Sequence, residues 1–395
     1  MLKGKTVVLG VTGSIAAYKI VDLASSLKKL HADVHVIMTK NALNFITPIT
    51  FETITGNKCL VDTFDRNFEF NVEHVSLAKK ADIFLVAPAS ANVIGKIASG
   101  ICDDMLTTTL FACTKKKLIA PAMNTNMYLN PILQDNLEKL KKYGYEIIEP
   151  ADGILACGDT GKGRLVGVDV LLDRIIYHIG YDKDLKGKNI LISAGPTVEA
   201  IDPVRFITNH SSGKMGYSIA NKAYLRGANV TIVSGPVKEK AYTGINIINT
   251  TSAKSMYEAI KDNYKSFDYI IMAAAVADYT PISVAENKIK KSDSNLSLEL
   301  TRTNDILKFL GENKLPNQKI IGFSMETENL IENSKAKLAK KNADMICANS
   351  INNKNTGFMV DTNLVTLIKK DEIKELPFDT KENIANGILD EIKTL

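Results

Sequence analysis

Residues 153–164 read GILACGDTGKGR, one thiol (Cys157) among four glycines with a lysine and an arginine close behind. Glycine before lysine suggests phosphate binding, but a P-loop needs Gly, four residues and then Gly-Lys-Ser/Thr. The position five before Gly161 is Ala156, and Gly163 follows Lys162, so that pattern is not met. What remains is a cationic loop whose most reactive group is Cys157, suited to a lid over an anionic ligand or to an ordinary surface turn. A second stretch, GVTGSIAAYK at 10–19, stands where a strand should turn into a helix. Backbone N–H groups at a helix N-terminus attract phosphate, and Gly13 with Ser14 leaves room for close approach. The stretch is not G-x-G-x-x-G, and Thr39 and Lys40 rather than an acid end the next strand, so a mononucleotide fits better than NAD.

Three further segments follow predicted strands: APASANVIGKIASG (87–100), CDDML (102–106) and APAMNTNMYLNP (120–131). Ser90, Asn92, Asp104 and Asn124 could hydrogen-bond a ring or chain there, and each could equally cap a helix. His74, in NVEHVSLAKKAD, is the histidine best suited to catalysis, although a lone histidine on a helix is more often structural. In the second half, SSGKMG again misses the P-loop, because Met215 follows Gly213-Lys214 and position 208 is threonine. Ser211, Ser212 and Gly213 can still cradle phosphate at a helix start. In DYIIMAAAVADYTP the three alanines leave room for a flat ring and Asp278 stands ready to hydrogen-bond it, while KIKK (288–291) fits a solvated charge run.

The elements that must hold these residues show in the alternation of short β-branched runs with helical periods. TVVLG, helical SIAAYKIVDLASSLKKL and DVHVIMT are followed by DIFLVAP, helical NVIGKIASGI, KLIAPAM and helical ILQDNLEKLKKYG. This is the βαβ pattern of a parallel sheet covered on both faces. The polar stretch YDKDLKGKN interrupts it, and NILISAGPT then restarts it, ending in a late strand pair, LVTLIKKDEIKELPF, and a closing helix. The reading is α/β, with two doubly wound, mainly parallel-sheet domains over 1–182 and 183–395, the first flavodoxin-like and the second Rossmann-like and nucleotide-binding. Such sheets bind ligands beyond the carboxyl ends of their strands, and 395 residues exceed what one hydrophobic core usually spans.

A net charge of +5 spread along the chain favours small anionic ligands over nucleic acid. The five cysteines form no C-x-x-C pair and the five histidines no H-x-x-x-H, which predicts neither a disulfide framework nor a structural metal. No run approaches the ~20 apolar residues of a membrane span, so the expectation is a cytoplasmic protein with no membrane partner.

Taken in order, GSIAAYK, EHVSLAKKADIFLVAPASANVIGKIASG, PAMNTNMY and GILACGDTGKGR resemble the flavin-dependent cysteine decarboxylases, in particular those acting on 4'-phosphopantothenoylcysteine. The resemblance implies FMN as cofactor and catalytic or substrate-binding roles for His74, Asn124 and Cys157. It also assigns Gly13, Ser14, Ile15, Thr39, Phe51, Ser90, Asn92 and Asp104 to the flavin and Met127 to the substrate. Where the family's P-x-M-N-x-x-M-W ends in tryptophan this chain has Tyr128, which predicts that an aromatic wall survives with altered packing. In this chemistry, oxidation of CH2–SH to a thioaldehyde supplies the electron sink for loss of CO2, and Cys157 matches the donor that returns a proton. Other FMN oxidoreductases and flavin-binding regulatory subunits are the alternatives.

SAGPTVEAIDPVRFITNHSSGKMG, AAAVADYTP with ENKIKK, GFSMET and KAKLAKKNADMICANS resemble the phosphopantothenate–cysteine ligases over about 188–395. The two halves in this order resemble the fused decarboxylase–ligases of coenzyme A biosynthesis. The implied reaction joins L-cysteine to 4'-phosphopantothenate through an acyl-cytidylate made from CTP, with Mg2+ carried mainly by the nucleotide phosphates. Ala273, Ala274, Ala275, Asp278, Lys288, Asn304, Asp305, Ile306, Leu307, Phe323, Lys337 and Lys341 match nucleotide-binding positions. Arg205 and Asn209 match positions that hold the acyl-cytidylate or its phosphate, with Asn209 and Lys288 also counted as catalytic. Asn304 replaces the family's usual proline, which predicts a looser nucleotide loop and a less certain base preference. A homo-oligomer, as large as a dodecamer, is expected from the family's three-fold and two-fold contacts.

Overall fold

The computed structural model describes residues 1–64, 73–156, 158–291, 296–326, 328–350 and 360–395. Within the first half, Cys157 lies outside the described residues. The chain divides into two compact units, Met1–Tyr181 and Asp182–Leu395.

In the first unit β1 (Thr6–Val11) is buried at every residue, as a strand covered on both faces must be. A 3-10 turn, Ile15–Tyr18, leads into α1 (Lys19–Lys29), where Ile20, Leu23, Ala24 and Leu27 form one buried stripe. There follow β2 (Asp33–Met38), α2 (Pro48–Thr55), α3 (Glu73–Lys80), β3 (Ile83–Ala89), α4 (Ala91–Ser99), α5 (Met105–Ala112) and β4 (Lys116–Pro121). After these come α6 (Thr125–Tyr128), α7 (Pro131–Lys142), β5 (Glu146–Ile147), the hairpin strands β6 (Ala151–Ile154) and β7 (Thr160–Arg164), and α8 (Val168–Ile179).

The sheet order is β2-β1-β3-β4-β5, parallel throughout. The order reverses between β1 and β3, so a crevice opens there. Phe84, Val86 and Ile119 on the sheet pack with Ile94, Ile97, Leu106, Leu110 and Leu137 from the helices as one core.

In the second unit β8 (Asn189–Ala194) is followed by a short antiparallel pair, β9 (Val198–Ala200) and β10 (Phe206–Thr208), and then by α9 (Lys214–Leu225). Next are β11 (Asn229–Ser234), β12 (Asn246–Asn249), α10 (Ala253–Asn263) and β13 (Tyr269–Met272). The ribbon β14 (Tyr279–Pro281) and β15 (Leu300–Arg302) precedes α11 (Ile306–Asn313), β16 (Lys319–Glu326), α12 (Leu330–Lys340) and β17 (Met345–Ser350). The chain closes with β18 (Thr362–Asn363), β19 (Val365–Ile368), β20 (Ile373–Glu375), β21 (Asp379–Thr380) and α13 (Lys381–Ile392).

The large sheet runs β12-β11-β8-β13-β16-β17-β19-β20. Its first six strands are parallel, and β19 and β20 add the antiparallel pair legible in LVTLIKKDEIKELPF. Here the order reverses between β8 and β13. The loop after β8 is so closely packed that a Cβ on Gly235 would lie 1.8 Å from the Pro196 carbonyl oxygen. Gly195, at φ +81°, packs against Gly213 and Val237 in the same knot. No helix among the described residues is long and apolar enough to cross a membrane.

Candidate functional site

Four adjacent strand ends converge on one crevice in the first unit. Thr12, fully buried after β1, donates its hydroxyl to the Pro88 carbonyl (2.6 Å) and accepts the Ser90 N–H (2.9 Å). That pins the ends of β1 and β3 together at the switch point. Around them lie two lobes of about 600 and 890 Å³ that share Gly13, Ser90, Ala91 and Met127. The first lobe is walled by Ser14, Ile15 and Asn124, and the second by Thr39, Asn92 and Asp104.

Several of these groups also have local duties. Ser14 accepts the Ala16 N–H at 3.3 Å, Ser90 caps α4, and Asp104 closes a capping box with Thr107 at the start of α5. Gly13 is required for a reason the sequence did not suggest, since a Cβ there would lie 2.8 Å from the Cβ of Asn41. The glycine lets two loops touch, whatever ligand lies beyond them.

Asn124 caps α6, its amide oxygen accepting the Asn126 N–H (2.8 Å) while its Nδ2 donates to the Asp159 carboxylate (2.9 Å). Asp159 belongs to the β6–β7 hairpin, whose tip is closed by Leu155 N–H to Asp159 O and Gly158 N–H to Leu155 O. Met123 N–H donates to Gly163 O at 2.9 Å, so the hairpin lies directly on the Asn124 segment. Leu155, Ala156, Gly163 and Arg164 line the first lobe with Lys19. The Lys19 ammonium is held below its ordinary pKa by partial burial first and by the nearby Arg164 second. Two cations that repel each other across a cleft favour an anion between them. Sequence reasoning does not assign either residue, although both close their glycine-bearing motifs, as GSIAAYK and GKGR.

Three expected residues stand elsewhere. Phe51 is fully enclosed in α2 and lines neither lobe. His74 is half-buried in the first turn of α3 and likewise off both walls. Tyr128 provides no aromatic wall: it is buried in the core, where its hydroxyl donates to Glu149, and Met127 faces the crevice instead.

The donor set fits a flavin mononucleotide. Thr39 Oγ1 is buried on the crevice wall without a hydrogen-bond partner among the described residues, so a ligand polar group would satisfy it.

In the second unit a cavity of about 640 Å³ opens beyond β13 and β16. Ala274, Asp278, Asn304, Asp305, Ile306, Leu307, Phe323, Lys337 and Lys341 all line it. The loop without proline is nonetheless fixed. Thr303 donates its hydroxyl to Ala277 O (2.6 Å) and its N–H to Asp278 O (3.0 Å), and Asp305 accepts the Lys308 N–H (2.9 Å) while pairing with Lys341. Lys337 donates to Phe323 O at 2.9 Å, and burial lowers its pKa.

Ala273, Ala275, Arg205, Asn209 and Lys288 are absent from that wall. Asn209 Nδ2 instead donates to the carbonyls of Ala275 (3.1 Å) and Val276 (3.3 Å), on the strip that borders the cavity. Arg205 forks onto the buried Asp202 carboxylate, which also accepts the N–H groups of Val204, Arg205 and Ile289. Burial opposes that charge, but these donors outweigh it and hold the Asp202 carboxyl far below the usual range. Lys288, next to Ile289, is exposed. Among the described residues no three His, Cys, Asp or Glu side chains are grouped as a metal site.

Residues 1–180 match the Flavoprotein family, and residues 185–395 match the family described as DNA/pantothenate metabolism flavoprotein C-terminal domain. The Coenzyme A biosynthesis bifunctional protein CoaBC of Bacillus subtilis is 46% identical over 399 residues, covering 100% of this chain and 98% of its own. The CoaBC of Borreliella burgdorferi is 46% identical over 391 residues (98% and 99%), and that of Escherichia coli 39% over 396 (100% and 98%). Among solved structures, a CoaBC C-terminal domain is 46% identical over 53% of this chain and 96% of its own, at a TM-score of 0.46. A PPC decarboxylase mutant complexed with pantothenoylaminoethenethiol is 31% identical over 43% and 96%, at a TM-score of 0.39. Matched along its whole length by full-length relatives, and in each half by the corresponding family, the chain belongs to the bifunctional coenzyme A biosynthesis proteins, enzymes that join phosphopantothenate to cysteine and decarboxylate the product.

Proposed function

We propose that the crevice of the first unit holds FMN and 4'-phosphopantothenoylcysteine, and that the cavity of the second unit holds CTP during ligation of L-cysteine to 4'-phosphopantothenate. The observation that carries the first assignment is the Asn124–Asp159 contact. It is an amide already oriented to donate to a carboxylate, at the end of β4, where a substrate carboxylate would replace Asp159. FMN, when bound, supplies the two-electron acceptor that makes the thiol-bearing carbon a sink for decarboxylation. Gly13, Ser14, Thr39 and Ser90 would hold it, Lys19 and Arg164 would draw in the anionic substrate, and the hairpin would exclude water. Cys157 is assigned the return of a proton to the carbon that has lost CO2.

The assignment of Cys157 is tested with the C157S variant. CO2 release in a single turnover should survive, and mass spectrometry should find a product two hydrogens short of the thiol. Full turnover by the variant would refute the role.

For ligation, CTP turns a carboxylate that lacks a leaving group into an acyl-cytidylate from which CMP departs. Lys288 would offset charge developing at the α-phosphate, a role worth roughly 3 kcal/mol at comparable sites. Asn209 and Arg205 would hold the acyl-cytidylate, and Mg2+ would travel on the nucleotide phosphates. Pyrophosphate and CO2 followed separately, with CTP or ATP, test the base preference. The reading also places the enzyme in the cytoplasm as a homo-oligomer up to a dodecamer, which light scattering of the purified chain would check.

A further inference from the structure

We infer that Arg302, which lies outside the set of nucleotide positions assigned above, binds the phosphates of the nucleoside triphosphate. The inference rests on reading the cavity of the second unit as the nucleotide site. Its floor is apolar, with Met272, Ala274, Ile306, Leu307 and Phe323 suited to a flat base and sugar, so the polyphosphate must meet the cationic groups.

Among the described residues five cations line the cavity, and three are committed elsewhere. Lys341 pairs with Asp305, Lys308 with Glu312 at 3.7 Å, and Lys337 donates to the Phe323 carbonyl. The side chains of Arg302 and Lys340 make no hydrogen bond or ion pair among the described residues. Of the two, Lys340 is a single flexible ammonium in the last turn of α12. Arg302 is presented by a stiffer mount. It ends β15 directly across from Tyr279 of β14, and the next residue, Thr303, is fastened by both its hydroxyl and its N–H to the Ala277–Asp278 turn.

A planar guanidinium on a fixed ribbon can take two phosphate oxygens at once, which an ammonium cannot. The same exposure that leaves Arg302 uncommitted makes it dispensable for folding, because its removal strands no buried partner.

The test varies CTP in the pyrophosphate-release assay and measures CTP binding by titration calorimetry on the full-length chain. R302A should raise both the KM and the Kd for CTP by about tenfold or more while kcat changes by less than about threefold. R302K should recover part of the loss, and the thermal midpoint of both variants should stay at the parent value. Unchanged KM and Kd in R302A, with the parent binding CTP normally, would overturn the role of Arg302 alone. A parent chain that binds no CTP would overturn the nucleotide reading and this inference with it. A fall in kcat without change in KM or Kd would also overturn it, since it would place Arg302 outside ground-state phosphate binding.

Discussion

At the scale of single residues, Thr12 shows how a buried polar atom serves a site it need not touch. Its hydroxyl is satisfied twice, by Pro88 and Ser90, at the point where the sheet order reverses. Thr12→Val keeps the shape and strands both partners, so it should destabilise the first unit by about 1–3 kcal/mol. Flavin affinity should fall with it, read by fluorescence titration of released FMN. At Lys288, which faces solvent, the effect should be on chemistry alone: Lys288→Gln should remove pyrophosphate release while CO2 release from supplied phosphopantothenoylcysteine and the melting temperature stay unchanged. Asn124 and Asp278 are legible because polar groups after strand ends have few other places to face, whereas residues 304–307 rest on the family resemblance. That Phe51 and His74 lie off both lobes is not legible, since a sequence names the helix they ride on but not which side of it meets the crevice. Thr12 and Asp159 are not legible for a related reason: their partners are brought near by folding.

Among elements, α8 carries a conflict that can be measured. Asp169 and Asp173 lie one turn apart, and burial first, then the neighbouring carboxylate, pushes Asp173 up to about 6. An unfolded aspartate releases its proton near pH 4, so between roughly 4 and 6 the folded chain binds more protons and stability falls as pH rises. Asp173→Asn should therefore raise the melting temperature at pH 8 and leave it unchanged below pH 4. With half of the group still near solvent, the gain should be only about 1 kcal/mol. The long amphipathic helices and central strands were readable from period alone. Less so was α5, whose Thr-Thr-Thr run opposes helix until Asp104 caps it. The strands β6 and β7 look like loop in the sequence because glycine at alternate positions erases the apolar pattern, and the pairing that makes them a hairpin lies across the turn.

For the whole molecule, the division at Tyr181 means that each unit has its own core. Ligands should act on them separately. FMN at a hundred times its Kd should stabilise one unit by about 2.7 kcal/mol, and CTP the other. Calorimetry should show two unfolding transitions that respond to one ligand each, and a single transition shifted equally by both would count against independent units. The alternation of elements made the paired sheets legible, and the point of reversal in each told where to look. Which residues complete the cavity of the second unit depends on the small ribbon β14–β15, too short to leave a period.

The knot of Gly195, Gly213 and Gly235 sets a limit on how this enzyme can change. At Gly235 a side chain would run into the Pro196 carbonyl, and at Gly195 and Gly213 it would meet the Val237 methyl in a left-handed backbone that disfavours any other residue. A saturation library screened for ligase activity should return only glycine at position 235, while the solvent-facing rim accepts many letters. Adaptation to a different nucleotide would then have to be written in cavity residues such as Asn304, and not in the glycine knot, where one codon change cannot be absorbed.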